Sequence, residues 1–232
     1  MIVMPGAADR VPEPALTARG RVTRERIVAA AAQLMHEHGV AGTSLDDVRA
    51  GTDTSKSQLY HYFADKSALV QAVVGRQVQL VVAAQQPELD ELDSLAALYR
   101  WRDRVVAVNS ERACVGGCPL GRLASELAED DPRARAAVKA GFEQWRERLA
   151  AGLRAMRARG ELVGGADPDR LALAVLGAAQ GGLLLAQTAR SVAPLEAALD
   201  LALDGIRVHL SPGSAAVAGR HVPAGPSSRP GE

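Results

Sequence analysis

Apolar residues recur along most of this chain at spacings of three and four, the period of a helix with one buried face. Ile27, Ala31 and Leu34 mark the first stripe, in a helix predicted from about Thr23 to His38 and stopped at Gly39. Leu45 with Val48, and Leu59 with Phe63, mark two short helices. Leu69, Val73 and Leu80 mark a fourth, which begins at Lys66 with Asp65 as its cap and is limited by Pro87. Further stripes run from about Leu89 to Val108 and from Leu120 to Ala128. Val138, Phe142, Trp145, Leu149, Gly152 and Met156 predict a long helix from Asp131-Pro132 to Arg159, ending at Gly160. Aspartate then proline is a strong opening, a cap followed by a residue already set for the first helical position. Asp167-Pro168 repeats it before Leu171 to Ala186, a segment apolar nearly all round and so buried on more than one side. The last helix begins near Pro194 and carries Leu199, Ala202, Leu203, Ile206 and Leu210. No segment alternates with period two. The predicted fold is all-α, with about nine helices.

The two ends lack this periodicity. Residues 1–20 and 211–232 mix Pro, Gly, Ala and Ser and are expected to be disordered. The 27 basic and 27 acidic residues cancel, which excludes a protein that coats nucleic acid by bulk attraction. A local basic face suffices for a sequence-specific binder. Arg19, Arg21, Arg24 and Arg26 stand against Glu25 alone, either as an arm along phosphates or in a minor groove, or as a solvated leader. The start has no charged leader before an apolar core. The run Leu171 to Ala186 is interrupted by Gln180 and is shorter than a bilayer span. A cytoplasmic protein without a membrane partner is expected.

Between Thr43 and Phe63 the pattern is that of a helix-turn-helix. Thr43 or Ser44 can cap the first helix, with Asp46 or Asp47 closing the capping box. Gly51 suits the tight exit, and Thr52, Asp53 and Thr54 form the turn. The second helix starts near Ser55, with Thr54 as its cap. With Leu59 and Phe63 turned inward, Lys56, Ser57, Gln58, Tyr60 and His61 are left to donate to phosphates or read base edges. Gln58 can pair bidentately with adenine, and Lys56 can meet guanine or a phosphate. Lys66, near the start of the fourth helix, and Thr43, Ser44 and Ser55 at helix starts suit phosphates.

The block from about Arg24 to Arg76 resembles the DNA-binding domain of the tetracycline-repressor (TetR) family. The resemblance rests on Ile27, Ala30-Ala31, Leu34 and Gly39, on Gly42-Thr43-Ser44-Leu45-Asp46-Asp47-Val48, on Gly51, and on Ser55-Lys56-Ser57-Gln58-Leu59-Tyr60-His61-Tyr62-Phe63 followed by Lys66 and Leu69. Ser57 departs from it, since many members carry glycine there. The resemblance implies a helix-turn-helix domain at 21–67 and a ligand-binding and dimerisation domain at 68–210. It implies double-stranded DNA with a pseudo-palindromic operator as partner, Tyr60 and His61 at the backbone or bases, and a small-molecule effector. It also implies a homodimer paired through its last two long helices, its two heads reaching successive turns of the groove about 34–36 Å apart or a multiple of that. The expected dimer surface is Leu171, Ala178, Gly181, Leu185, Leu199, Leu203 and Ile206. A narrower resemblance runs from about Cys118 to Leu210. It rests on Gly117-Cys118-Pro119-Leu120-Gly121, Leu127-Ala128, Phe142, Trp145-Arg146, Gly160-Glu161-Leu162 and Gln180-Gly181-Gly182. It is similar to repressors of lincomycin-type drug efflux and of flavonoid-responsive genes, and implies planar or drug-like ligands.

Tyr99, Trp101, Phe142 and Trp145 are the large rings of the second domain and, with Cys118 and the lone polar Gln180, are the expected pocket residues. Cys114 and Cys118 have neither disulfide-framework nor zinc-site spacing. Cys118 at a helix start could have a lowered pKa, which keeps a thiol redox-sensing regulator open as one alternative. A small-molecule binding module without DNA binding is another. The five histidines, His36, His38, His61, His209 and His221, fall in no nucleophile or metal motif, so no enzyme activity, metal or cofactor is expected. The expected function is a DNA-binding regulator, a repressor released by a small hydrophobic or aromatic ligand.

Overall fold

The computed structural model describes residues 16–127 and 131–214. The disorder expected of 1–15 and 215–232, and Ala128 at the end of its predicted helix, lie outside the described residues. Those described form nine α-helices: α1 (Ala18–His38), α2 (Leu45–Thr52), α3 (Lys56–Tyr62), α4 (Lys66–Ala83), α5 (Leu95–Glu111), α6 (Pro119–Leu127), α7 (Pro132–Ala158), α8 (Pro168–Ala189) and α9 (Ala193–Arg207). One turn of 3-10 helix, Glu88–Asp90, precedes α5. The chain divides into two compact units after Leu69, within the second turn of α4.

In the first unit, α1 begins earlier than expected. The Thr17 hydroxyl accepts from the Gly20 N–H at 3.1 Å and caps the helix. Residues 18–20, expected to belong to a disordered arm, are its first turn, so Arg19, Arg21, Arg24 and Arg26 stand on a helix. Ile27, Val28, Ala31, Ala32 and Met35 form its buried face. Ser44 caps α2 in a full capping box with Asp47. The turn differs from the expected one. Gly51 lies inside α2, and the left-handed residue is Asp53, with φ 48°. Hydroxyl pairing explains the extra residues. Thr52 Oγ1 donates to the Val48 carbonyl at 2.8 Å, and Thr54 Oγ1 donates to Thr52 Oγ1 at 2.8 Å, all buried. A short aspartate side chain tolerates the left-handed position that this shift imposes. Thr54 is therefore interior, and Ser55 caps α3 instead, in a box with Gln58. Each such cap contributes about 1 kcal/mol. Leu59 and Phe63 are buried as their spacing implied.

In the second unit the stripe from Leu89 is not one helix. Leu89 and Leu92 are buried, but from the 3-10 turn and the link behind it, and α5 starts at Leu95 under a Ser94 cap. That link lies directly on α7. A Cβ at Gly152 would sit 1.8 Å from the Leu92 carbonyl oxygen, so only glycine admits the contact. The core is built from one face each of α5, α7, α8 and α9, with Trp101, Leu149, Leu153, Met156, Ala172, Ala179 and Leu195 among its buried members. Helices α8 and α9 cross closely, since a Cβ at Gly182 would meet Leu195 Cα at 2.9 Å. Leu199, Leu203 and Ile206, expected on the dimer surface, are fully buried in this core, where α5 and α8 already pack against α9. At 22 residues α8 is long and apolar enough to cross a membrane by length and composition, contrary to the shorter run read from the sequence. Its buried residues belong to the core, packed against α7 and α9. Ser211, expected in the tail, is held by its N–H donating to the Glu161 carbonyl at 2.8 Å, beside an isolated bridge between Leu162 and Leu210.

Candidate functional site

Helix α3 has seven residues, and Leu59 alone is buried. Lys56, Ser57, Gln58, Tyr60 and His61 are exposed together, with Ser55 at the cap and Ser44 at the start of α2 also open to solvent. Their engagements differ. Gln58 Oε1 accepts the Ser55 N–H at 3.0 Å, so bidentate pairing with adenine would require that bond to open. Ser57 Oγ lies 3.1 Å from Ser55 Oγ. The Ser44 hydroxyl and N–H both donate to Asp47 Oδ2, at 2.6 and 2.8 Å, and hold that carboxyl below its ordinary range. Lys66 Nζ reaches the Ala41 carbonyl at 3.4 Å. Thr43, expected among the DNA contacts, is buried, and its hydroxyl donates to the Gly39 carbonyl at 2.9 Å, so it is spent on the fold. Behind α3, the Arg24 guanidinium lies over the Phe63 ring, 5.2 Å from its centroid, a cation–π contact that ties α1 to the end of α3.

The second unit contains a cavity of about 640 Å³ between α6, α7 and α8. Of the six expected pocket residues, Cys118, Phe142 and Gln180 line it. Tyr99 and Trp101 do not. The Tyr99 hydroxyl donates to Asp204 at 2.9 Å and accepts from Arg207 at 3.0 Å, while the Trp101 N–H donates to Gln85 Oε1 at 2.8 Å. Tyr99 thus ties α5 to α9, and Trp101 ties α5 to the turn after α4. Burial, then the Asp204 bond, pushes the Tyr99 phenol up to about 12. Trp145 lines a second, small chamber of about 50 Å³, whose wall also includes Cys118. The larger cavity adds residues that the sequence reading missed, Gly121, Arg122, Ser125, Glu126, Leu184 and Gln187. Their signal was periodicity, since Arg122 and Ser125 follow Cys118, and Leu184 and Gln187 follow Gln180, at helical steps. Arg122 and Glu126 pair at 3.0 Å on one wall.

The cysteines are poor redox candidates. Cys114 is buried, and burial pushes the Cys118 thiol up despite the N–H of Gly121 and the Gln180 amide beside it. This reverses the lowered pKa expected at a helix start, because desolvation of the half-buried sulfur outweighs the hydrogen bonds it accepts. Among the described residues no cluster of three or more His, Cys, Asp or Glu could hold a metal.

One face of α8 and α9 is apolar and open. Leu173, Leu184 and Leu185 on α8, and Leu201 and Val208 along α9 and just beyond it, are each more than half exposed. Gly177, Gly181 and Gly205 share this face, and a Cβ at any of them would meet nothing within 4 Å. Of the expected dimer residues, Gly181 and Leu185 lie here, and Leu171 and Ala178 are half-buried.

Residues 94–202 match the tetracyclin repressor-like C-terminal domain, and residues 27–73 match the bacterial regulatory proteins of the tetR family. An uncharacterised helix-turn-helix transcriptional regulator of Lactococcus lactis, from the region 3′ of lacX, is 31% identical over 78% of this chain and 91% of its own length. The transcriptional repressor NemR of Escherichia coli K12 is 27% identical over 76% of this chain and 90% of its own. The crystal structure of a TetR transcriptional regulator from Chloroflexus aurantiacus superposes with a TM-score of 0.70 at 29% identity, covering 84% of this chain and 98% of that one. The exposed α3, its capped approach through α2 and these matches over both units lead to one conclusion: the chain belongs to the TetR family of helix-turn-helix transcriptional regulators.

Proposed function

We propose that this chain is a cytoplasmic, homodimeric repressor that leaves a pseudo-palindromic operator when a small, largely apolar ligand fills the cavity between α6, α7 and α8. The observation that carries it is the α3 face, five polar or charged side chains on a helix that gives the core only Leu59. Lys56, Ser57, Gln58, Tyr60 and His61 would meet the groove, and Ser44, Ser55 and Lys66 the phosphates. The relative NemR is itself named a repressor. Likeness of the second unit to repressors of lincomycin-type efflux and of flavonoid-responsive genes favours planar, drug-like ligands.

A second copy packed on the open face of α8 and α9 would cover the exposed leucines. Gly181 and Leu184 belong both to that face and to the cavity wall, so the partner would also close the cavity's mouth. Ligand and operator are then linked reciprocally, each weakening the other's binding by the same factor. A gel shift on the intergenic DNA beside the protein's own gene, with and without a panel of aromatic compounds, tests this. Retardation that a compound relieves, and that Lys56→Ala and Tyr60→Ala abolish, is the expected outcome. Retardation undiminished in both variants would remove α3 from the interface.

A further inference from the structure

Of the three buried side-chain N–H donors without an acceptor among the described residues of the second unit, Arg207 Nε lines neither cavity, and two remain, Gln180 Nε2 and the Trp145 indole N–H. Both belong to side chains that line space. Gln180 lines the cavity of about 640 Å³, and Trp145, only 2% exposed, lines the chamber of about 50 Å³. Cys118 is common to the two walls, so the two spaces adjoin at one residue. A buried donor left unpaired is costly to the empty protein, and a ligand that supplies an acceptor recovers that cost on binding. Beside Gln180 the Cys118 sulfur is only a weak acceptor, and beside Trp145 the Gln85 amide is already engaged. The side-chain amide of Gln85 is spent on the Val81 carbonyl and the Trp101 N–H.

Charge narrows the ligand further. The cation and the carboxylate on the cavity wall, Arg122 and Glu126, face each other at 3.0 Å, and the remaining wall is uncharged, with the Ser125 hydroxyl donating to the Gly121 carbonyl at 3.2 Å. An ionised ligand would be desolvated there with its natural counter-charge already taken. From these observations we infer that the cavity takes an uncharged, largely apolar ligand with a carbonyl or ether oxygen as acceptor, received by Gln180 Nε2, with the Trp145 N–H as a second donor beyond Cys118. This rests on the cavity being the effector site.

Matched compounds that differ only in the acceptor test it on the full chain. Equilibrium dialysis of 9-fluorenone against fluorene, and of benzophenone against diphenylmethane, compares affinities without using tryptophan emission. The ketone of each pair should bind about tenfold more tightly, one hydrogen bond's worth. Gln180→Leu should bring the ratio close to one by weakening the ketone and leaving the hydrocarbon unchanged. Trp145→Phe, which keeps a ring and removes the N–H, provides a second reading if the first variant does not fold. Fluorenone-4-carboxylate should bind more weakly than fluorenone. Equal binding of ketone and hydrocarbon by the unaltered protein would overturn the acceptor assignment while leaving the cavity as the site. A carboxylate that binds more tightly would overturn the uncharged class. Failure of all the compounds to bind would remove the cavity reading itself, and this inference with it.

Discussion

Gly177 offers a test whose sign, not only its size, reports whether α8 has a partner. In a helix interior glycine is less favourable than alanine by about 1 kcal/mol. In the isolated chain a Cβ at Gly177 meets nothing within 4 Å, so Gly177→Ala should stabilise a monomer by roughly that amount. If a second backbone lies against this face, the added methyl meets it and overpacking costs about 1–3 kcal/mol. Gly182 illustrates the second case inside the chain, where the Leu195 Cα would lie 2.9 Å from its Cβ. Urea unfolding of the two proteins at protein concentrations a hundredfold apart separates the cases. A dimer that unfolds to two chains gains about 1.4 kcal/mol per tenfold rise in concentration. The expected result is a concentration-dependent midpoint for the parent protein and a lower midpoint for Gly177→Ala at every concentration. A midpoint that ignores concentration, together with a variant more stable than the parent, would refute the dimer face.

Three further outcomes concern the caps, the buried phenol and the thiols. Ser55→Ala should cost about 1 kcal/mol of stability by removing the α3 cap, whereas Thr54→Ser, which keeps the buried hydroxyl bond to Thr52, should cost less; thermal melts followed by circular dichroism compare them. Tyr99 keeps its proton in the folded state up to about 12, against 10.0 for the free side chain. Between those values the unfolded chain binds fewer protons than the folded one, so this group's contribution to stability is whole below pH 10 and is lost as pH rises towards 12; urea midpoints across that window, with Tyr99→Phe as the variant lacking the slope, measure it. Burial of Cys114 and elevation of the Cys118 thiol mean that both should react with a disulfide reagent at neutral pH far more slowly in the folded protein than in urea, which colorimetric thiol titration records.

The elements were legible where local chemistry decides them. Asp131-Pro132 and Asp167-Pro168 opened α7 and α8 where expected, because a cap and a proline act within one turn. The turn between α2 and α3 was misplaced by two residues because buried threonine hydroxyls, rather than a glycine, set it. No local pattern announces that Thr52 and Thr54 bond to each other. The Leu89 stripe misled for a similar reason, since helical spacing also fits residues that reach the core from a 3-10 turn and a link. The site was less legible than the fold. A stripe such as Leu199, Leu203 and Ile206 states that one side is dry but not whether the chain or its partner dries it. Tyr99 and Trp101 depended on Asp204, Arg207 and Gln85, partners up to 108 residues away.

The economy of α3 carries an evolutionary consequence. A seven-residue helix anchored by one leucine and a capping serine leaves most of its positions indifferent to folding. Mutations at Lys56, Ser57, Tyr60 and His61 can therefore accumulate with little stability penalty, and operator preference can drift while the scaffold stays the same. Descendants of such a protein would be expected to diverge first in which genes they govern, and only later in how they fold.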